Sequence, residues 1–456
     1  MKTQLEKKFG LITAIAMVVG IVIGSGVFFK AEKVLIATGG NLKLGILAWV
    51  IGGLIMISCA YTFSVMATRY EYVNGVVDYA EAAVGQKYGY YVGWFMALIY
   101  YPTLTAVLAW VSARYTCVLL GFSITGGECM TIACLYLVGS YALNSLSPIL
   151  AGKFQVGTTV IKLIPLLLMA LVGTIVGMTN GMIVDNFTTV VEEVSTKNAL
   201  FTAVVATAFA YEGWIIATCI NAELKNAKKN LPRALVSGTF IIMIVYILYY
   251  VGLAGAVSNE VMMAGGQAGA KLAFQTIFSK IGGTLIFVFV IISCLGTLNG
   301  LMLGCTRGLY SVSARGYGPK AKLFGQVDEI TNMPTNSSIF GLLLCGIWLL
   351  YFYGANLTAP WFGFFSFDSS ELPIVTIYAL YMPIFFMMMK KEKGLSTFNR
   401  YIMPTLSLIG CVFMIIAAWF SHGWAIVAYL IIFAVVMVMG YLLIGKKSKG
   451  KIRKAS

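Results

Sequence analysis

About twelve apolar stretches of membrane-spanning length fill this chain of 456 residues, with hardly a loop between them. A helix needs roughly 20 apolar residues to cross a hydrocarbon core about 30 Å thick, and inside that core every backbone N–H and C=O must find its partner within the protein. The stretches lie near residues 11 to 36, 44 to 67, 89 to 119, 129 to 147, 155 to 178, 199 to 223, 233 to 256, 283 to 311, 336 to 354, 361 to 389, 401 to 420 and 423 to 445. The expected fold class is therefore an all-α, polytopic membrane protein of about twelve transmembrane helices. A soluble chain of this length would be read as two or three domains, whereas here a single membrane domain is the simpler reading. Only 11% of the residues are charged, against about 25% in soluble domains.

The formal charge of +15 invites a nucleic-acid reading, since clustered Lys and Arg are the usual footprint of such binding. Their placement argues for a membrane orientation instead. With a cytoplasmic N-terminus, alternate loops hold Lys2, Lys7 and Lys8; Arg69 and Lys87; Lys153; Lys225, Lys228, Lys229 and Arg233; Arg307, Arg315, Lys320 and Lys322; Lys390, Lys391, Lys393 and Arg400; and the tail from Lys446 to Lys454. That is about 24 of the 32 basic residues on one side, as the positive-inside rule requires. The expectation is an inner (cell) membrane protein with both termini cytoplasmic, in contact with membrane lipids and not with nucleic acid.

The first stretch has a basic flank like a signal peptide. It is too long for one, is interrupted by Gly-Ser-Gly and lacks a small-residue cleavage site, so it should be retained. The nine cysteines lie singly without paired metal-ligand spacing and read as packing residues, with Cys129, near an outer loop, the one expected to approach the surface. His422, in a short outer turn, is the only histidine, which excludes His-based catalysis and a His-rich metal site. No metal and no cofactor is expected.

Two segments depart from a plain spanning helix. Gly24-Ser25-Gly26 lies midway through the first stretch, and Glu212-Gly213 lies at similar depth in the sixth. Each glycine lowers helix stability by about 1 kcal/mol. These are the first spans of two successive blocks of five, and glycine-interrupted segments at corresponding positions of two halves point to a transporter site at the midplane. An odd number of spans per block turns the second block upside down. The chain then divides into a first inverted repeat over 1–180, a second over 199–390, two additional helices over 399–445 and a basic cytoplasmic tail over 446–456. Residues 259–280 read as a short helix, 268–278, lying over the outer face.

A broken helix in lipid strands backbone groups, which is tolerated only beside protein or a wet cavity. A zwitterion supplies the missing partners: the half-helix after Ser25 offers N–H groups and a positive dipole end to a carboxylate, and carbonyls such as that of Val22 accept from an ammonium. The competing reading makes Gly-Ser-Gly a helix-packing patch. Glu212 is an acid inside a span, functional by default; it accepts bonds from unwound backbone, senses a cationic group, binds a proton, or sits in a wet vestibule. Lys162, some seven residues inside the fifth stretch, reads as an internal cation beside the breaks rather than a snorkelling lysine. Phe209, Tyr211, Trp214 and Tyr246 are candidate ligand caps among many lipid-facing aromatics. Ser293, Thr297 and Asn299 either bond across helices or line the site.

At these residues the sequence resembles the amino acid, polyamine and organocation transporter superfamily, and within it the L-type amino acid exchangers and their bacterial relatives. The resemblance rests on Gly-Ile-Val-Ile-Gly-Ser-Gly-Val-Phe-Phe at 20–29, Phe-Ala-Tyr-Glu-Gly-Trp at 209–214, Asn-Ala-Glu-Leu-Lys-Asn at 221–226 with Asn-Leu-Pro-Arg-Ala at 230–234, and Ser-Cys-Leu-Gly-Thr-Leu-Asn-Gly at 293–300. It implies the five-plus-five inverted-repeat (LeuT-like) fold with broken helices 1 and 6. It implies a ligand carboxylate on Ser25 and Gly26, and an α-amino group held by carbonyls at Val22, Phe209 and Glu212. Ile23, Gly24 and Ala210 are neighbouring site residues, and Phe209 is the aromatic gate. Lys162 matches the lysine that fills the usual sodium position, and Tyr246 a tyrosine close to it. Two departures stand out: Glu212, similar to the Asp of some bacterial relatives, where animal members often have Gly, and Cys129, which does not sit in the motif that binds a heavy subunit, so such a partner is not supported.

The expected function is sodium-independent exchange of small or medium neutral L-amino acids by alternating access. The alternative is a proton-coupled importer, or an antiporter for a cationic amino acid or polyamine, with Glu212 as the charge-sensitive group. No filter-like repeat or ring of charge suggests a channel, and no convergent catalytic set suggests an enzyme.

Overall fold

The computed structural model describes residues 10–69, 75–191, 196–215, 224–328, 333–357 and 359–444. Among the described residues, 10 helices are long and apolar enough to cross a membrane. They are α3 (Leu42–Arg69), α4 (Gln86–Leu120), α5 (Gly127–Leu146), α6 (Leu150–Thr179), α8 (Lys228–Ala256), α10 (Gln267–Ser313), α11 (Thr335–Ala355), α12 (Leu372–Lys391), α13 (Phe398–His422) and α14 (Ala425–Leu443). The first and sixth stretches are missing from that set: the first is built from α1 (Leu11–Val22) and α2 (Gly26–Ala37), and the described part of the sixth holds α7 (Thr196–Tyr211). A helix of 12 residues rises only about 18 Å, well short of the bilayer core. With these two, twelve crossing segments account for the apolar stretches.

The segment after α8 forms α9 (Asn259–Gly265) and the first part of α10, which bends at Phe278 and Ser279, the latter at φ 68°. The expected surface helix thus exists, continuous in sequence with the eighth span. One boundary needs correction. The tenth span starts at Leu372, not near 361, because residues 361–371 hold Gly363 at φ 51° and the polar run Asp368-Ser369-Ser370-Glu371. The aromatics that made this stretch look apolar, Trp361 and Phe364, are more than half exposed. Residues 216–223, expected in the sixth span, and the start of the 221–226 motif lie outside the described residues.

Equivalent spans of the two halves pack on each other: α3 on α8, α4 on α10, and α2 on α7. In lipid there is little hydrophobic drive between helices, so small residues at the contacts let dispersion do the work. The approach of α6 to α8 shows it. A Cβ on Gly173 would stand 2.6 Å from the Gly252 carbonyl oxygen, and one on Gly252 3.3 Å from the Ala170 Cα. Among the described residues the cysteines pack inward as expected, with one exchange of roles: Cys129 is buried, and Cys134, further along α5, is the exposed one, while Cys219 lies outside the described residues. The helix turns Cys129 toward its neighbours, a direction that loop proximity alone did not reveal.

Replacing Gly173 with Leu should force α6 and α8 apart at a cost of about 1–3 kcal/mol. The measurement is the thermal unfolding midpoint of the detergent-solubilised protein, which should fall by several degrees.

Candidate functional site

The first break is short. α1 ends at Val22, Ile23 turns to an extended conformation (φ −65°, ψ 111°), and the helix restarts at Gly26. Gly24 and Gly26 weaken the helix locally, and Ser25 prefers non-helical hydrogen bonding. In the second break α7 stops at Tyr211, and Gly213 adopts φ 108°, a left-handed value suited to glycine. The two breaks touch backbone to backbone. A Cβ on Gly26 would lie 2.6 Å from the Ala210 Cα and 3.1 Å from the Phe209 carbonyl oxygen, so only glycine permits this contact.

Tyr246 of α8 joins the breaks from behind. Its hydroxyl lies 3.2 Å from the Val22 carbonyl oxygen and 3.0 Å from that of Ala210. One proton serves one carbonyl at a time, so the tyrosine chooses between the breaks. Its ring stacks on Tyr211 at 5.3 Å and meets Trp49 edge-on at 5.6 Å, while the Tyr211 hydroxyl donates to the Trp49 carbonyl at 2.8 Å.

In front of the breaks lies a cavity of about 240 Å³. Val22, Gly24, Ser25, Gly26, Phe209, Ala210, Glu212 and Lys162 all line it. Of the residues nominated from sequence, Ile23 and Tyr246 are fully buried behind the wall and do not line the cavity. The pattern of the sequence did not reveal two further polar lining residues, Tyr100 and Gln155; Thr297, a candidate from the sequence, lines the cavity as well. Tyr100 closes the π-turn Met96–Tyr100 within α4, a widening that shifts the face of a helix and is common at functional sites. Its hydroxyl donates to Glu212 Oε1.

Two opposite charges therefore border the cavity. The buried Lys162 sits at an interruption of α6 and its ammonium donates to the carbonyl of Gly20, near the C-terminal end of α1. A cation there complements the negative end of the half-helix. Glu212 faces it across the site with one oxygen on Tyr100; its Oε2 makes no full hydrogen bond, and the Gly213 N–H is the backbone donor turned toward the carboxylate. The Ser25 hydroxyl is buried beside the Cys294 thiol. The three polar residues of the eighth span separate in role. Asn299 bonds across helices to Asn144 at 2.8 Å and Gln155 at 3.2 Å, Thr297 returns its proton to the Ser293 carbonyl at 3.1 Å while lining the cavity, and Ser293 is buried off the cavity wall. Phe209 covers the site with its ring edge-on to Phe29, centroids 6.1 Å apart.

The amino acid permease family model matches residues 9–442. The serine/threonine exchanger SteT of Bacillus subtilis is 30% identical over 418 residues, covering 90% of this chain and 91% of the relative. The Asc-type amino acid transporter 1 of Mus musculus is 26% identical over 75% of this chain and 64% of its own length. The crystal structure of MhsT in complex with L-phenylalanine matches at a TM-score of 0.58 and 14% identity, over 92% of this chain and 100% of that one, a likeness of fold.

A Tyr246→Phe variant removes the hydroxyl proton that reaches both breaks and leaves a buried carbonyl short of a donor, at about 1–3 kcal/mol. Backbone hydrogen exchange at residues 22–26 and 209–213 should then quicken roughly tenfold, the equivalent of about 1.4 kcal/mol.

Proposed function

We propose, from the premise that the chain belongs to the amino acid permease family and is a multi-pass membrane transporter of amino acids, that it exchanges small or medium neutral L-amino acids across the cell membrane without sodium, by alternating access. The observation that carries the reading is the buried Lys162 ammonium lodged on the Gly20 carbonyl at the first break. A fixed cation there does electrostatically what a bound sodium ion does beside an unwound helix, so no coupling ion is required. The backbone N–H groups at Ser25 and Gly26 take the substrate carboxylate, the carbonyls of Val22, Phe209 and Glu212 take its ammonium, and Phe209 closes over it. The cavity, below the roughly 300 Å³ at which sites for larger ligands begin, suits a compact side chain. The names of the relatives, a serine/threonine exchanger and an Asc-type transporter, support the same class.

Both termini face the cytoplasm in this reading, since the basic loops then lie inside. Cys129 is buried and does not sit in the motif that binds a heavy subunit, so such a partner is not supported in this reading. The second reading, a proton-coupled importer or an antiporter for a cationic amino acid or polyamine, is favoured by one observation: the Glu212 carboxylate is held by Tyr100 with Oε2 short of a partner. A proton or a substrate cation would satisfy that oxygen.

Uptake into proteoliposomes separates the two. Exchange predicts uptake that requires internal amino acid and is indifferent to sodium and to a pH gradient; uptake into empty vesicles that follows the pH gradient overturns it. Lys162→Ala should insert normally yet lose or alter transport, whereas unchanged kinetics and ion dependence would remove Lys162 from the mechanism. A bulky residue at Ser25 should abolish binding of every substrate alike, because the carboxylate is common to all; substrate-selective loss contradicts that role.

A further inference from the structure

On the reading above, the backbone at Ser25 and Gly26 and the carbonyls of Val22, Phe209 and Glu212 take the groups that every amino acid shares. The side chain of the substrate is left with the rest of the cavity wall. That remainder is apolar at Leu104, Leu108, Leu301 and Leu303, and polar at Tyr100, Gln155 and Thr297. Two of the three polar groups have spent their protons: the Tyr100 hydroxyl donates to Glu212 Oε1, and that of Thr297 to the Ser293 carbonyl. Lys162 keeps its ammonium on the Gly20 carbonyl. The Gln155 amide is different, and two asparagines behind it decide which of its ends faces the cavity.

Asn144 of α5, Asn299 of α10 and Gln155 of α6 form a relay of three amides. An amide has one donating and one accepting end, and neighbours that can only accept fix which is which. Asn144 Nδ2 lies 2.9 Å from the Ser140 carbonyl and 3.3 Å from that of Asn299, so this end is the donor. It donates to Asn299 Oδ1 at 2.8 Å. Asn299 Nδ2, 3.3 Å from the Ala151 carbonyl, is fixed in the same way and donates to Gln155 Oε1 at 3.2 Å. With its oxygen engaged, Gln155 turns Nε2 the other way, and among the described residues Nε2 has no hydrogen-bond partner. Asn144 and Asn299 are both buried. The relay therefore has a fixed polarity, from backbone carbonyls at one end to a free N–H donor on the cavity wall at the other.

We propose that Gln155 is a specificity-determining residue whose Nε2 donates to the side chain of the substrate, and that Asn144 and Asn299 are positioning residues which hold it in that sense. The proposal rests on the transporter reading and narrows its substrate class. Glu212 Oε2, the unpaired acceptor on the same wall, sets the second condition. An aliphatic side chain leaves both ends unmet. An ammonium answers Glu212 alone, and a carboxylate answers Gln155 alone while facing a like charge on Glu212. A hydroxyl or a carboxamide accepts and donates at once, so amino acids carrying one of these neutral groups are the class that fits the wall. In a cavity of about 240 Å³, water can stand in for the missing group when the side chain is aliphatic, which holds the preference to roughly tenfold.

The test compares near-isosteric pairs, L-threonine with L-valine and L-asparagine with L-leucine. The readout is thermal stabilisation of the full-length protein in detergent, which needs no transport. In the unaltered protein at least one polar member should reach half its effect at a concentration about tenfold below that of its aliphatic partner. Preference confined to threonine identifies the hydroxyl, and preference confined to asparagine the carboxamide. Gln155→Met, similar in size but without the amide, should bring each pair close to equality, chiefly by weakening the polar member. Should that variant not fold, Gln155→Asn, which draws the donor back by one methylene, should lower the preference in the same sense. Asn299→Ala should lower it too, because the Gln155 amide is then free to turn either end to the cavity; a loss of stability alone would weaken both members of a pair alike. Stabilisation without preference in either pair, or a preference that survives in Gln155→Met, overturns the role of Gln155 and leaves the transporter reading standing. Absence of stabilisation by all four amino acids overturns both.

Discussion

Everything in this molecule depends on how two interrupted helices satisfy their backbone groups inside a bilayer. In lipid an unwound segment has no water to turn to, and here the two breaks turn to each other. Gly26 lies against Ala210 at backbone distance, and the Tyr246 hydroxyl reaches the Val22 and Ala210 carbonyls. That contact holds α2 on α7 and leaves one side of the pair facing the cavity.

Charge is arranged around this core in two places. Lys162 and Glu212 border the cavity, one tied to the Gly20 carbonyl and the other to Tyr100, so that an almost apolar chamber presents a balanced pair of poles. Farther along α2, Lys30 and Lys33 meet Glu371 and Asp368. The same half-helix thus carries the cavity-facing N-terminus at Gly26 and, a turn later, the ion pair with the distant segment ahead of α12. Phe209 stands between the two, in contact with the cavity on one side and with Lys30 on the other.

Much of this was legible in the sequence. Span length and apolar run gave twelve crossings, and glycines at matching depth marked both breaks; the structure cuts the chain at Ile23–Ser25 and after Tyr211 as those positions suggested. Lys162 and Glu212 announced themselves as charges far from any span end. Lys30 did not, because it lies near the end of an apolar stretch, where a lysine ordinarily snorkels. Tyr100 was hidden as one aromatic among many, since nothing in a linear pattern signals the π-turn that aims it at Glu212. The tenth span was drawn too long for a related reason: Trp361 to Phe365 are apolar by residue type yet form an exposed, glycine-bent turn.

By itself the sequence determined the solvent, the number of crossings, the place of the breaks and the charges that lipid would not tolerate without purpose, because the bilayer penalises each polar group separately and that penalty is read residue by residue. The tertiary structure alone decided which groups meet: Tyr246 on two carbonyls, Tyr100 on Glu212, and Glu371 between Lys30 and His422. Those pairings join residues up to 341 positions apart. Their energies belong to distances that helix packing sets, and no local pattern of residues encodes them.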